Sequence, residues 1–303
     1  MDASVPPAGY IARRLQLSDA GRVAAVVAAC EEHDVGEVLV EEADVVGDWQ
    51  RPGFDLATCA VGLEHDGEVV AYVEIYGARR AEGHVLPRHR GHGLGTWLAA
   101  WSRDAARRDG GVVVGQGVLQ GSSADLLLTS LGYEVRWTSW VLELPEPAVL
   151  AEHPLPAGCT LRDLSLDDEH DQRRAFQVIE DAFAEWPERQ PIAFDDWAAT
   201  SVRRPGFAPG HLRLAVDGSD AVLGACLRVP SNGTTYVDQL AVRRQARGLG
   251  LARALLADAF ALGRAAGGVR SELSTDSRTG ALGLYERLGM SVQSTWVHRA
   301  IDL

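Results

Sequence analysis

Lysine is absent from this 303-residue chain: all 29 of its basic residues are arginine. That excludes a Schiff-base lysine and the G-x-x-x-x-G-K-[ST] loop that grips nucleotide phosphates. The bias reads as that of a GC-rich bacterial genome. Cysteine is scarce, and Cys30, Cys59, Cys159 and Cys226 lie too far apart for a C-x-x-C pair. They are expected as small core residues of a reduced compartment, not as a disulfide frame or a metal site. No apolar run reaches the ~18 residues of a membrane span, and no basic-then-apolar segment opens the sequence. A soluble, cytoplasmic protein is expected. Positive charge is short as well. The formal net charge of −13 argues against a nucleic-acid partner, which needs many cations, and suits a cationic or amine substrate.

What the chain has in plenty is length and repetition. Its 303 residues, 46% of them hydrophobic, exceed the usual size of one domain. Arg90-Gly91-His92-Gly93-Leu94-Gly95 returns as Arg247-Gly248-Leu249-Gly250-Leu251-Ala252, an offset of 247 − 90 = 157. The same interval takes Val85 to Val242, Leu98 to Leu255 and Leu131-Gly132 to Leu288-Gly289. Each copy repeats one order of elements. In the second copy a strand over 160–164 and a helix over 171–183 precede a hairpin of 212–216 with 221–229. A strand over 235–242, the glycine loop and a helix over about 250–266 come next. A strand over 269–274, a helix over about 278–288 and a strand over 292–301 close the copy. The first hairpin is expected over 56–64 and 69–75. The prolines of 145–156 mark a linker, giving two α/β domains, 1–148 and 157–303.

The segment from Val242 to Arg253 joins a strand to a helix through small residues. Such a turn lets an anion approach the backbone, and the first helical turn aims unpaired N–H groups at it. A diphosphate is the expected ligand, with Arg247 and Arg253 adding charge. The glycine spacing is not that of the dinucleotide fingerprint, and the loop follows a hairpin and a further strand, not a first strand.

Hairpin, strand ending in Val, R-x-x-G-x-[GA], helix, strand, and a helix with Tyr285-Glu286-Arg287-Leu288-Gly289-Met290 together resemble the GNAT superfamily of acyl-CoA N-acetyltransferases. The second copy matches over most of its length. The first matches chiefly over 85–98 and 131–133. The tandem arrangement resembles the mycothiol synthase relatives among bacterial two-domain acetyltransferases. The resemblance implies two tandem GNAT-like domains, each a mixed, mostly antiparallel central sheet flanked by helices. It implies acetyl-CoA as co-substrate, no metal, and an amine acceptor. The backbone of Leu240, Ala241 and Val242 would pair with the pantetheine arm, and Arg247, Gly248, Leu249, Gly250, Leu251, Ala252 and Arg253 would hold the diphosphate. Ser277 stands where the superfamily often has an asparagine, and it or Asp276 would cap the last helix. A possible second cofactor site in the first copy comprises Val85, Arg90, Gly91, His92, Gly93, Leu94 and Gly95.

Acetyl transfer needs a proton taken from the ammonium and the thiolate stabilised. The resemblance gives Tyr285 the second task; an ordinary tyrosine lies ~1.5 pH units above a thiol. Its apolar helix face allows a core role equally. Glu272 is the matching base, and Asp238, with Tyr236 on a face shared with Leu240 and Val242, is its rival. The glutamate that many members carry on the strand of Asp238 is missing. The 157-residue offset places Gly115 opposite Glu272 and Leu128 opposite Tyr285, so the first copy reads as catalytically degenerate, a scaffold or a second acetyl-CoA binder. His84, His89 and His92 lack the carboxylate or cysteine shell of a metal site. Trp186, Phe194, Asp195, Asp196, Trp197 and Phe207 either wall a cationic-acceptor pocket or cover the core. Glu31, Glu32, Glu41 and Glu42 are either a cleft lining or a solvated face. Three functions follow: acetylation of a small-molecule primary amine, acetylation of a peptide or protein N-terminus, or silent acyl-CoA sensing. A monomer or a homodimer fits all three.

Overall fold

A computed structural model describes residues 5–51, 53–186, 189, 191–204, 206–231 and 233–303. The chain divides into two compact units, Met1–Ser139 with Thr295–Leu303, and Trp140–Ser294. In the first, β1 (Ile11–Arg13), α1 (Ala20–Asp34), α2 (Glu42–Trp49) and α3 (Leu56–Cys59) lead to the hairpin β2 (Ala60–His65) and β3 (Glu68–Tyr76). Asp66 and Gly67 turn this hairpin with φ of 50° and 80°, the left-handed pair that matches strand twist. Next come β4 (Arg80–Val85), α4 (Leu94–Arg108), β5 (Val113–Leu119), α5 (Ser123–Ser130) and β6 (Glu134–Glu143).

The second unit repeats the plan. It contains β7 (Thr160–Asp163), α6 (Glu169–Phe183), α7 (Phe194–Thr200), the hairpin strands β8 (Leu212–Val216) and β9 (Val222–Ser231), and β10 (Thr234–Val242). After these come α8 (Leu251–Ala265), β11 (Arg270–Asp276), α9 (Leu282–Arg287) and the start of β12 (Ser291–Asp302). In each unit the strands before the crossover helix pair antiparallel, and the crossover yields one parallel pair, β4 with β5 and β10 with β11. Both crossover helices bury one stripe: Leu94, Trp97, Leu98 and Ala105 on α4, and Leu251, Leu255, Ala259 and Phe260 on α8.

The units part at other points than the proline linker. Residues 296–302 of β12 pair antiparallel with β5, from Trp296↔Leu119 to Asp302↔Val113, and Val297 belongs to the first unit's core. The end of β6 belongs to the second unit, where Leu142 is fully buried and the Leu144 N–H donates to the Ser271 carbonyl at 2.9 Å. Each sheet is thus completed by a strand from beyond the other copy's last helix. Periodicity locates strands but not their partners.

Two local expectations also shift, and one polar stretch proves to be a strand. The residues of 56–59 form a helical turn capped by Asp55, whose carboxylate accepts from the Ala57 N–H, and the strand starts at Ala60. The polar stretch 80–85 forms a strand despite its composition, because both its neighbours supply partners. The last helix begins at Leu282, not at 278, since Gly280 is left-handed at φ 64°.

Candidate active site

In the second unit β10 and β11 run parallel from Thr234↔Arg270 to Val237↔Leu273, and there the ladder stops. Yet β10 continues to Val242, paired on its other side with β9 down to Val242↔Gly224, and β11 continues to Asp276. The two strands splay. Their facing backbone edges, 238–242 and 274–276, are left for another partner.

A bulge between Val237 and Gln239 accompanies the splay. The extra residue is Asp238, and it breaks the alternation that put Tyr236 on the face of Leu240 and Val242. Val237, Leu240 and Val242 pack on the α8 side, whereas the Tyr236 hydroxyl donates to Ser274 Oγ at 2.8 Å on the opposite face. Gln239 turns to that face too and accepts from Trp197 Nε1 at 3.0 Å.

Tyr236, Asp238, Glu272 and Ser274 therefore gather at the mouth of the splay. Asp238 is exposed by surface area, yet burial pushes its carboxyl up, offset by Arg204 and Gln239. Tyr236 is pushed up to about 12, chiefly by burial, with Asp238 and Glu272 adding to the rise. Glu272 is 15% exposed in its side chain and stands 3.8 Å from the Arg270 guanidinium.

Tyr285 lies elsewhere. It is 9% exposed, packs in the core of the α8 side, and is pushed up to about 12 by burial, with Cys226 contributing. The sequence assigns Glu272 and Tyr285 to different tasks, base and thiolate partner. Leu273 packs in one core with Tyr285, so Glu272 beside it on β11 faces the opposite side of the sheet. The gap to an ordinary thiol is ~3.5 pH units, not ~1.5, so complete proton transfer would cost ~5 kcal/mol. Tyr285 is suited to donate a hydrogen bond, not to surrender its proton.

The glycine turn joins β10 to α8 where the sequence places it. Gly248 and Gly250 are left-handed at φ 77° and 83°, a conformation that side chains resist. The first helical bond of α8 runs from the Ala254 N–H to the Gly250 carbonyl, so the amides of Leu251, Ala252 and Arg253 precede it without a helical acceptor. A β-carbon at Gly250 would overlap the His153 ring. Arg253 is exposed on this turn. Arg247, by contrast, is committed: its Nη atoms donate to Glu185 at 2.8 and 3.0 Å, and Nε donates to the Val242 carbonyl at 3.2 Å. It braces the loop rather than offering its fork to an anion.

The first unit duplicates this brace. Arg90 binds Asp34 through two bonds of 2.7 Å, and its Nε donates to the Val85 carbonyl at 3.2 Å. Gly91 and Gly93 are left-handed, and Leu94 begins α4. Beyond the loop the units differ. The β4–β5 ladder has one pair, Arg80↔Gly115, and the freed edge is occupied from within, because Gln116 Nε2 donates to the Gly83 carbonyl at 3.0 Å. Gly115 is required there, since a β-carbon would lie 2.6 Å from the Arg299 carbonyl oxygen of β12. Leu128 is core.

In the first unit the sequence singles out neither Glu74 nor the Cys30 and Glu82 groups that meet His84. Glu74, 4% exposed, accepts from Trp49 Nε1 at 2.6 Å and from the Tyr76 hydroxyl. Burial raises it to about 7 against the pull of those bonds. His84 reaches about 9: burial lowers it, but Cys30 and Glu82 outweigh that effect. Only their partners distinguish these groups from surface charges. His89 bonds Tyr10 at 3.1 Å, and His92 lies beside the same ring.

The other candidates make the following contacts. Ser277 is exposed and caps no helix; Asp276 instead accepts from the Arg278 N–H at 2.9 Å and pairs with its guanidinium. Phe194 and Trp197 are core, and Asp195 and Asp196 sit in the first turn of α7 rather than at its cap. Trp186 lies under the Arg278 guanidinium at 5.0 Å. Glu31 accepts the amides of Leu39 and Val40 at 2.8 and 3.0 Å. No helix among the described residues is long and apolar enough to cross a membrane.

The model of the acetyltransferase (GNAT) family matches residues 23–121 and 170–290, one stretch in each copy. A mycothiol acetyltransferase of Salinispora arenicola is 34% identical over 189 residues, 58% of this chain and 59% of that protein. The chain thus aligns with little more than half the length of that relative. A GCN5-related N-acetyltransferase from Sphaerobacter thermophilus has a solved structure that is 32% identical, covers 98% of this chain and 97% of its own, and superposes with a TM-score of 0.78. A tandem GNAT protein from the clavulanic acid biosynthesis pathway shares the fold at 19% identity, with coverage of 97% and 98% and a TM-score of 0.72. With a loop-and-splay architecture in its second unit and both copies matched, this chain belongs to the GNAT family of acetyltransferases.

Proposed function

We propose that the chain is an acetyl-CoA-dependent N-acetyltransferase whose second unit passes the acetyl group to the primary amine of a small molecule. The observation that carries this reading is the parallel ladder ending at Val237↔Leu273 while β10 runs on to Val242. Amide-bearing pantetheine suits that free edge, which offers the backbone of Leu240, Ala241 and Val242 as an added strand would use it. The amides of Gly248 to Ala252, with Arg253, suit the diphosphate at the helix terminus. Acetyl-CoA, when bound, supplies the thioester.

The chain's own groups divide the remaining work. Asp238, raised by burial, receives the ammonium proton directly or through water, a task that a carboxylate of ordinary acidity performs poorly. Glu272 and Tyr236 hold the positive acceptor beside it. Tyr285 keeps its proton on the phenolic oxygen and donates a hydrogen bond as negative charge grows on sulfur. The first unit is a scaffold, with Gln116 seated on the edge that pantetheine would need. The name of the Salinispora relative gives one example of a small acceptor class.

Thiol release from acetyl-CoA over a panel of small amines and N-terminal peptides tests the proposal. Turnover with small amines is expected, and Asp238→Asn should reduce it more than Glu272→Gln. Binding of acetyl-CoA without turnover on any amine would favour the sensor instead, and preference for peptides would move the acceptor class.

A further inference from the structure

We propose that Gln239, its amide turned by the Trp197 indole, is a positioning residue for Asp238 and holds that carboxylate at the mouth of the splay. The inference rests on the reading of Asp238 as the base. An indole N–H donates and cannot accept. Trp197 is 1% exposed, and its Nε1 donates to Gln239 Oε1 at 3.0 Å. The Gln239 amide therefore has one orientation: its oxygen faces Trp197, and its NH2 end is left to point away. That end meets Asp238, where the Gln239 amide N–H donates to the carboxylate. A flipped amide would instead turn its oxygen on a negative charge. Trp197 thus fixes the amide, and the amide fixes the carboxylate.

The bulge makes this contact possible. In an unbroken ladder consecutive side chains point to opposite faces, but the register shift between Val237 and Gln239 puts Asp238 and Gln239 on one face. Ala241, two residues on, packs in the same core as Trp197, whereas Val237 and Val242 pack on the α8 side. Burial pushes the Asp238 carboxyl up, and Arg204 and then Gln239 pull it back. The other charged or titratable groups around it are Glu272, with Arg270 beside it, and the Tyr236 phenol. On this face α6 and α7 present Val178, Ile179 and Ala198, which add no charge. Arg228 on β9 stands opposite Val237 and so shares its α8 face. A carboxylate that loses its donor is protonated at higher pH and stops accepting the ammonium proton. Gln239 opposes that loss at the residue where burial favours it.

The indole N–H signal of Trp197 in NMR spectra of the full chain, identified by its loss in Trp197→Phe, reads the relay without any turnover. Over a pH titration it should move through one step as Asp238 ionises, at a pH above that of an ordinary aspartate. The step should be missing in Asp238→Asn and kept in Glu272→Gln. Kinetics supply the second readout. In Gln239→Met, which fills similar space without a donor, the acidic limb of kcat/KM for the amine should move up by ~1 pH unit. Trp197→Phe should move it the same way by less. A flat Trp197 signal in the wild type, a step that survives in Asp238→Asn, or an unmoved limb in a folded Gln239→Met would each overturn the proposal. A step in the wild type together with full turnover by Asp238→Asn would keep the relay and remove Asp238 as the base, so the two readings fail separately.

Discussion

Two tyrosines and two carboxylates carry the proposed chemistry at the residue scale, and each is governed by what surrounds it. Burial pushes Tyr285 up to about 12, so on the proposed mechanism Tyr285→Phe removes one hydrogen bond to a charged sulfur. That is worth roughly 1.5–3 kcal/mol, or ~10- to 100-fold in kcat, with KM for acetyl-CoA unchanged. Steady-state kinetics of the variant check it, and unaltered turnover would return Tyr285 to the core. Glu74 provides a pH-dependent prediction in the first unit. Its carboxyl is raised from 4.5 to about 7, so between those values the folded chain holds more proton than the unfolded one. Stability falls as pH rises through that window, by ~3 kcal/mol at most. Glu74→Gln, which keeps the Trp49 and Tyr76 bonds satisfied, should therefore raise Tm at pH 8 and leave it unchanged at pH 4. A melting series across pH reads the difference.

Elements explain why the same arginine recurs in both glycine loops. The end of the first helix region, Asp34 in one unit and Glu185 in the other, clamps the loop arginine, whose Nε also secures the carbonyl of the preceding strand. Two copies that differ in so much retain this brace, which fixes the direction in which the turn's amides point. Glu185→Gln is expected to raise KM for acetyl-CoA severalfold with kcat held, whereas Asp34→Asn leaves both constants unchanged. Equal effects from the two variants would mean that the first unit takes part in turnover. Sequence motifs marked this arginine but not its carboxylate partner. An R-x-x-G-x-[GA] string contains no record of the carboxylate 62 residues upstream, so a ligand-facing guanidinium and a bracing one look alike. The bulge at Asp238 was hidden for a related reason: period-two alternation assumes an unbroken ladder, and only the pairing with β9 shows where it breaks.

For the whole molecule, the decisive fact is that cutting at the prolines does not yield the first compact unit. Residues 296–302 form the strand beside β5, Val297 and Ala300 are buried, and Arg299 binds both Asp125 and the Tyr133 carbonyl. Deleting 295–303 should destabilise the first unit by several kcal/mol, lowering its melting temperature by ~10 °C or more, and should expose the amides of Val113–Leu119 to hydrogen exchange. Retention of full protection in β5 would contradict the assignment.

The sequence by itself determined the repeat, the order of strands and helices in each copy, and the left-handed glycines that open α4 and α8. These follow from local periodicity and from backbone freedom that only glycine supplies. Tertiary structure alone decided that Glu272 and Tyr285 face opposite sides of one sheet, that Arg247 is spent on Glu185, and that the last strand finishes the first unit. Each of these depends on which distant backbone edge or carboxylate meets a given residue, and hydrogen bonds between remote partners leave no period in the chain.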